Sequence, residues 1–474
     1  MPYYFNRETN IKISKWEALK KREIVRIAKR TGINLIYFVY CDNGNLIRGK
    51  ATHVDHLDRR LDSGIGLTVG QQAAYDNDLL ADIDGMGTAG EARILPDLST
   101  VDKFVALPWA PKRAMIIGDL VKLDMTPWVC PRTFLKNQIA RAADLGMNIM
   151  IGLEPEWYVA KYDVETDYYK PIENSQAFHT TGYTPYTEFI DELIDTLELF
   201  GMHVETYYPE SGPGHTEVTL RPANALKAAD NHIFYREAVR NVGFKHGLSP
   251  TFMPKPFLDQ AGAGGHIHIS AWDQKGTENL FYTEGDDYAL STIGQHFLAG
   301  IMEHLPGLMA LIAPSYNSYR RFHRGSWSGG EYLTYGADNR ESAVRIPSRY
   351  LGNEKGSVNI EVKPADNSAN PYLAIGSIIA AGVDGVVKEL EPNPKQFLDC
   401  DPGKLSESDL RTRGIQRLPS SLAEAIDALE DDEILNAAMG GFMADAYLIL
   451  KKAEEGHFAA GSVDFELKRH YNKY

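Results

Sequence analysis

Acidic side chains and histidines recur along this 474-residue chain in short patterns that suit a divalent cation beside a phosphate group. They are Glu154-Pro-Glu156, then Glu210-Ser-Gly-Pro-Gly-His-Thr-Glu217, then His266-Ile-His268, then Glu361 in Ile-Glu-Val-Lys363. The run from Met147 to Ala160 reads as a strand, in which residues two apart share a face, so Glu154 and Glu156 point the same way. His266 and His268 do likewise. Adjacent carboxylates repel and raise each other's pKa unless a cation lies between them. A lone Glu-x-Glu strand is usually a solvated face, and a lone His-x-His strand lies at the rim of a core. Together with further acids, both point to a metal. An oxygen-rich ligand set with imidazole suits magnesium or manganese, and the lack of thiolates disfavours zinc. Such cations accompany phosphate chemistry.

Guanidinium groups follow downstream, in Asn317-Ser-Tyr-Arg320-Arg321 and in Asn339-Arg340-Glu-Ser-Ala-Val-Arg345-Ile-Pro347. Their planar donors match phosphate and carboxylate oxygens. Both runs lie beside Gly, Pro and Asn rather than in charged helices, which favours loops lining a site.

With Thr251-Phe-Met-Pro-Lys-Pro256, Gly262-Ala-Gly-Gly-His-Ile-His268 and Ile360 to Tyr372 added, these motifs occur in an order that resembles the glutamine synthetase family, from about residue 15 to the C-terminus. The resemblance implies an ATP-dependent carboxylate-amine ligase. Glutamate's side-chain carboxylate takes the terminal phosphoryl group of ATP, and an amine then displaces phosphate from the γ-glutamyl phosphate. Position by position, Glu156, Glu210 and Glu217 would hold one Mg2+ (or Mn2+) and Glu154, His266 and Glu361 the other. His268, Arg340 and Arg345 would contact the nucleotide. Arg321 would grip the glutamate carboxylate, helped by the backbone at Gly262, with Lys363 and Trp327 also in the substrate pocket. Arg340, Arg321 and Glu361 would lie nearest the chemistry.

The departures from the family concern the amine. Ammonia-using members carry an aspartate in an N-terminal loop that reaches the neighbouring subunit, whereas Gly66 to Ala74 holds no acid and the next is Asp76. Those enzymes also carry a flap glutamate six residues after the arginine matching Arg321. Here that place is Trp327 or, with one residue inserted, Ser328, and Glu331 lies a little further on. The family's asparagine before the glycine loop is Ala261, and the arginine after its metal glutamate is Lys363. Losing both acids removes the groups that attract ammonium, and cationic polyamines would need carboxylates too. The expectation is a γ-glutamylamide ligase for a neutral or aromatic, aniline-like amine, resembling the γ-glutamylanilide synthases of aromatic amine degradation. The alternatives are a true glutamine synthetase, a γ-glutamyl-polyamine or alkylamine synthetase and, remotely, a non-catalytic assembly protein. The intact ligand set argues against the last.

Composition sets outer limits. Net charge is 49 minus 64, or -15, which opposes nucleic-acid binding. Cys41, Cys130 and Cys400 lie far apart, without disulfide or zinc spacing, as suits a reducing cytoplasm. Met1 to Asn10 shows no signal pattern, and the apolar run Tyr372 to Val383 is too short to span a membrane and reads as a buried helix.

Periodicity predicts a helix over 15–29, with Trp16, Leu19, Ile24, Val25 and Ile27 near one side. A hairpin joins 34–41 to 46–52, with the positive φ angles of its turn expected at Asn43-Gly44. Further helices are predicted near 132–145, 186–200 and 224–246. The fold class is α+β. The resemblance implies a β-grasp-like domain over 1–125 and a glutamine synthetase catalytic domain with a curved antiparallel sheet over 126–474, assembled as a homo-oligomeric ring, a dodecamer, with sites between subunits.

Overall fold

The computed structural model describes residues 3–5, 12–323 and 325–474. The Met1 to Asn10 stretch therefore lies outside the described residues apart from Tyr3–Phe5. Helix α1 spans Lys15–Thr31. Ile24 and Ala28 are fully buried, one turn apart, but Trp16 and Leu19 are exposed. The predicted apolar side is therefore too long, because the helix is covered only from Lys21 onward.

Strands β1 (Leu35–Cys41) and β2 (Ile47–His53) form the predicted hairpin. Its turn differs from the expected one: the left-handed residue is Asn45, with φ of 65°, rather than Asn43-Gly44. The loop closes where the Asn45 N–H donates to the Asp42 carbonyl (3.0 Å), a wider connection than a two-residue turn. Tertiary bonds explain the choice. The Asn45 amide donates to the Asn367 carbonyl (3.0 Å) and the Asn370 amide donates to the Asp42 carbonyl (2.8 Å). The tip is thereby fixed to the segment that follows Glu361.

Strands β3 (Ile65–Thr68), β4 (Glu91–Pro96) and β5 (Arg113–Val121) complete a sheet ordered β2-β1-β5-β4-β3. Only the central β1–β5 pair is parallel, a β-grasp-like arrangement. One face buries Ile36, Phe38, Ile94 and Ile116 under α1 and the helix Leu57–Ser63. The other face, through Val39, Met115 and Ile117, joins the large core of the rest of the chain. Arg132 reinforces that union from a fully buried position. It donates to Asp97 (2.8 Å) and Asp119 (2.9 Å) on one side and to Asp230 (2.8 Å) on the other.

The second sheet is built on β6 (Asn148–Asp163). With β7 (Val204–Pro209), β8 (His215–Leu220), β9 (Gly265–Trp272), β10 (Tyr335–Ala337), β11 (Val344–Ile346) and β12 (Ile360–Val362) the order is β7-β8-β6-β9-β12-β11-β10. The sheet is antiparallel as expected except at its edge, where β10 and β11 run parallel. The excursion over 338–343 turns the chain back on itself and carries Arg340.

Helices α2 (Pro131–Asp144), α3 (Thr187–Leu199), α4 (Ala225–Lys245), α5 (Thr292–Ile312) and α6 (Pro371–Val387) support this sheet; α2, α3 and α4 lie where periodicity placed helices, whereas α5 was not anticipated. The apolar run is α6, buried from Pro371 to Gly385. It approaches α5 so closely that a Cβ at Gly300 would collide with the Ala381 carbonyl. Among the described residues no single helix is long and apolar enough to cross a membrane. Cys41 and Cys130 are buried, Cys400 is exposed, and all three are free thiols.

Candidate active site

Backbone register brings the acidic motifs together. In the antiparallel ladders Glu154 lies opposite His266, Glu217 opposite Glu156, His268 opposite Glu361, and Arg345 opposite Glu361. Because the side-chain period of a strand is two, one register places all of these on one face. Glu210 enters from the end of β7.

Side-chain distances match that register. Nδ1 of His266 is 3.4 Å from an oxygen of Glu154 and 3.4 Å from one of Glu361. Nε2 of His268 is 3.1 Å from Glu154 and 3.9 Å from Glu361. Tyr208 donates its hydroxyl to Glu217 (2.5 Å), and the Gly264 N–H donates to Glu156 (2.8 Å). Arg345 donates to Glu361 (2.7 Å) and to Asp338 (2.8 Å). Lys363 donates to Glu361 at 3.4 Å.

Electrostatics divide the acids. Burial opposes ionisation of Glu154, but the facing His268 and His266 hold it well below the ordinary range. Glu156 and Glu361 are likewise driven down to about 2 despite burial, the first by His215 and the second by Lys363 and His268. Glu217 and Glu210 are pushed up, first by burial and then by neighbouring carboxylates. Under the same two carboxylates, Glu154 and Glu361, His268 rises to about 9 against its burial. Carboxylates that repel one another in a buried cluster are groups a divalent cation would neutralise.

The donor set fits such a cation. One ligand atom each from Glu154, His268 and Glu361 lie within 4.8 Å of one another. Nε2 of His268 and Nε2 of His215 are buried facing carboxylate oxygens of Glu154 and Glu156, each 3.1 Å away but out of hydrogen-bond alignment. That trio contains His268, assigned by resemblance to the nucleotide, and His266 lies alongside at 3.4 Å from both carboxylates. His215 received no role from the sequence. Its ring stacks on Tyr158, with centroids 4.3 Å apart, and Nε2 lies 3.1 Å from Glu156. Its signal was present, since His215 is two residues before Glu217 on one strand.

A cavity of about 110 Å³ opens beside this cluster. Glu156, Glu210, His266, Arg321, Trp327 and Lys363 line it, as do Gly262 and Arg340. Arg321 is held by the Pro364 carbonyl and Asp366, each at 3.1 Å. Gly262 owes its identity to this arginine, since a Cβ there would meet Arg321 Cγ at 2.5 Å. Arg320 turns away and donates to Glu466 (2.6 Å).

The acids considered as replacements for the missing flap and loop carboxylates are engaged in ion pairs. Glu331 accepts from Arg417 (2.7 Å), while Asp76 is buried against His457 (3.0 Å) and Arg469 (3.2 Å). Trp327 has a left-handed backbone (φ 56°) and an indole 63% exposed at the cavity.

Residues 128–470 match the model of the glutamine synthetase catalytic domain, and residues 20–128 match that of the glutamine synthetase N-terminal domain. A gamma-glutamylpolyamine synthetase of Streptomyces coelicolor is 32% identical over 431 residues, covering 90% of each chain. A glutamine synthetase of Methanocaldococcus jannaschii is 33% identical over 378 residues, covering 78% of this chain and 81% of that one. The solved GmaS/ADP complex superposes with a TM-score of 0.82 at 28% identity, covering 94% of this chain and 98% of that one. The chain belongs to the glutamine synthetase family, ATP-dependent ligases that use a divalent metal to form γ-glutamyl amides.

Proposed function

We propose that this ligase joins the γ-carboxylate of L-glutamate to a neutral or aromatic, aniline-like primary amine. One observation carries the reading: an exposed indole, Trp327, lines the cavity shared by Glu156, Glu210, His266, Arg321 and Lys363, while Asp76 and Glu331 are paired with cationic side chains elsewhere. An aromatic wall favours an uncharged, apolar nucleophile, and a cationic one would lose hydration against it.

In this reading Glu156, Glu210 and Glu217 hold one divalent cation, and Glu154, Glu361 and a histidine, His266 or His268, hold the other. Bound there, the cations would neutralise charge on the transferring phosphoryl oxygens. Arg321 positions the glutamate carboxylate, Arg340 and Arg345 face the nucleotide, and Lys363 offsets the charge of Glu361. Arg345 would exchange its bonds to Glu361 and Asp338 for phosphate oxygens. The reading includes assembly into a ring with sites between subunits.

A second reading is a polyamine substrate, favoured by the similarity to the Streptomyces coelicolor gamma-glutamylpolyamine synthetase. Phosphate release from ATP and glutamate, compared across ammonia, aniline, short alkylamines and polyamines, separates the two. The proposal expects the greatest kcat/KM with an aromatic amine. Greatest efficiency with ammonia or a polyamine would overturn it.

A further inference from the structure

A ligase without the flap glutamate still has to dispose of a proton. When the amine nitrogen attacks the carbonyl carbon of γ-glutamyl phosphate, a C–N bond forms and the C–O bond to phosphate breaks. Phosphate leaves with that electron pair, and the nitrogen must shed a proton to become an amide. A carboxylate beside the amine is the usual acceptor for such a proton.

One acid is bonded to Trp327, the residue at the place of the missing flap glutamate. The backbone N–H of Trp327 donates to Oε1 of Glu341 (3.0 Å), 14 residues along the chain. Glu341 follows Arg340 directly, and its own N–H is fixed by the Asn339 side chain (3.1 Å). Trp327, Arg340 and Lys363 all line the cavity; the half-buried Glu341 lies just behind that lining, bonded to the first and next in sequence to the second. The groups facing it are Lys363 from the end of β12, Asp401 from the segment after residue 398, and Glu331 from the flap. Burial raises the Glu341 carboxyl above the ordinary range; the Trp327 N–H and Lys363 oppose that rise, and Asp401 and Glu331 add to it. The direction is the one a proton acceptor near neutral pH requires.

We propose that Glu341 receives the proton of the attacking amine, standing in for the absent flap acid, with Oε1 anchored by the Trp327 N–H and the second oxygen serving the nucleophile. This rests on the reading of the site as γ-glutamylamide-forming. It also suits a weakly basic aromatic amine, whose nitrogen becomes strongly acidic once it has attacked and needs only a carboxylate to receive its proton.

The test is Glu341→Gln, which keeps an oxygen for the Trp327 N–H but cannot take a proton, with Glu341→Asp as the rescuing variant. Both are assayed with the intact enzyme and whichever amine the wild type uses best. Single-turnover ADP formation from ATP and glutamate should stay within about threefold of wild type, whereas the amide-forming step should fall about 10²-fold or more. The acid limb of the pH profile of kcat/KM for the amine should vanish in Glu341→Gln and return in Glu341→Asp. An unchanged limb in Glu341→Gln, or an equal loss of ADP formation and amide formation, would overturn the assignment. Turnover with ammonia alone would overturn the aromatic-amine reading separately, since the limb is then read with ammonia and still decides Glu341.

Discussion

Removing one carboxylate from the acid cluster tests what the cluster holds. Glu210 is pushed up by burial and by Glu156, so it is an acid destabilised in its own site unless a cation offsets it. Glu210→Ala should lower ATP turnover by at least about 10²-fold, since loss even of a residue that only supports a metal ligand commonly costs 10- to 100-fold. Turnover equal to wild type at saturating magnesium would refute the assignment. Trp327→Glu reads another part of the lining. If the indole lines the amine subsite, the variant should shift the ratio of kcat/KM for ammonia over aromatic amine by about 10- to 200-fold, the range one apolar pocket contact commands. An unaltered amine profile would place Trp327 outside the subsite.

At the scale of elements, strand register is what makes a site from scattered motifs, and the core shared by the N-terminal sheet and the rest of the chain supports it. Arg132 is central to it, because Asp97, Asp119 and Asp230 share one buried guanidinium. Arg132→Ala should cost about 3–5 kcal/mol, since it leaves Asp230 buried without its cationic partner, although Asp97 and Asp119 keep Lys136. A chemical denaturation midpoint within error of wild type would contradict this. The motif strands and principal helices were legible because two- and 3.6-residue periods are written locally. What was not legible depends on distant partners. Asn45 takes the left-handed position because Asn367 and Asn370 fix the loop around it. Trp16 and Leu19 looked like core because periodicity cannot say where the covering structure begins. Glu341 could not be matched to Trp327 because the flap fold joins them, and Gly262 gave no hint that the side chain it accommodates is Arg321.

Across the whole molecule, the C-terminal helices brace the site from behind. Glu466, in the helix Val463–Lys473, accepts from Arg320 and from Asn317 (2.7 Å), fixing the segment that ends at Arg321. That helix is tied in turn by Glu454, which is buried between Lys451 (2.6 Å) and Lys473. Despite burial, the two lysines hold Glu454 at about 2, below its ordinary 4.5. A depressed acid stabilises the fold above its unfolded pKa and loses that contribution as pH falls toward the folded value. The melting temperature should therefore decline between about pH 4.5 and 2, and Glu454→Gln should be less stable at pH 7 and flatter through that window. Parallel curves for the two proteins would show that Glu454 contributes nothing there.

The most direct measurement of the central claim follows oxygen atoms. With glutamate labelled by 18O in its side-chain carboxylate, activation as an acyl phosphate requires that labelled oxygen leave with the phosphate when the amine attacks. The account predicts one labelled oxygen in each phosphate released, matched by one γ-glutamylamide and dependent on magnesium and the amine. Unlabelled phosphate, or labelled phosphate with no amide formed from any amine, would contradict it.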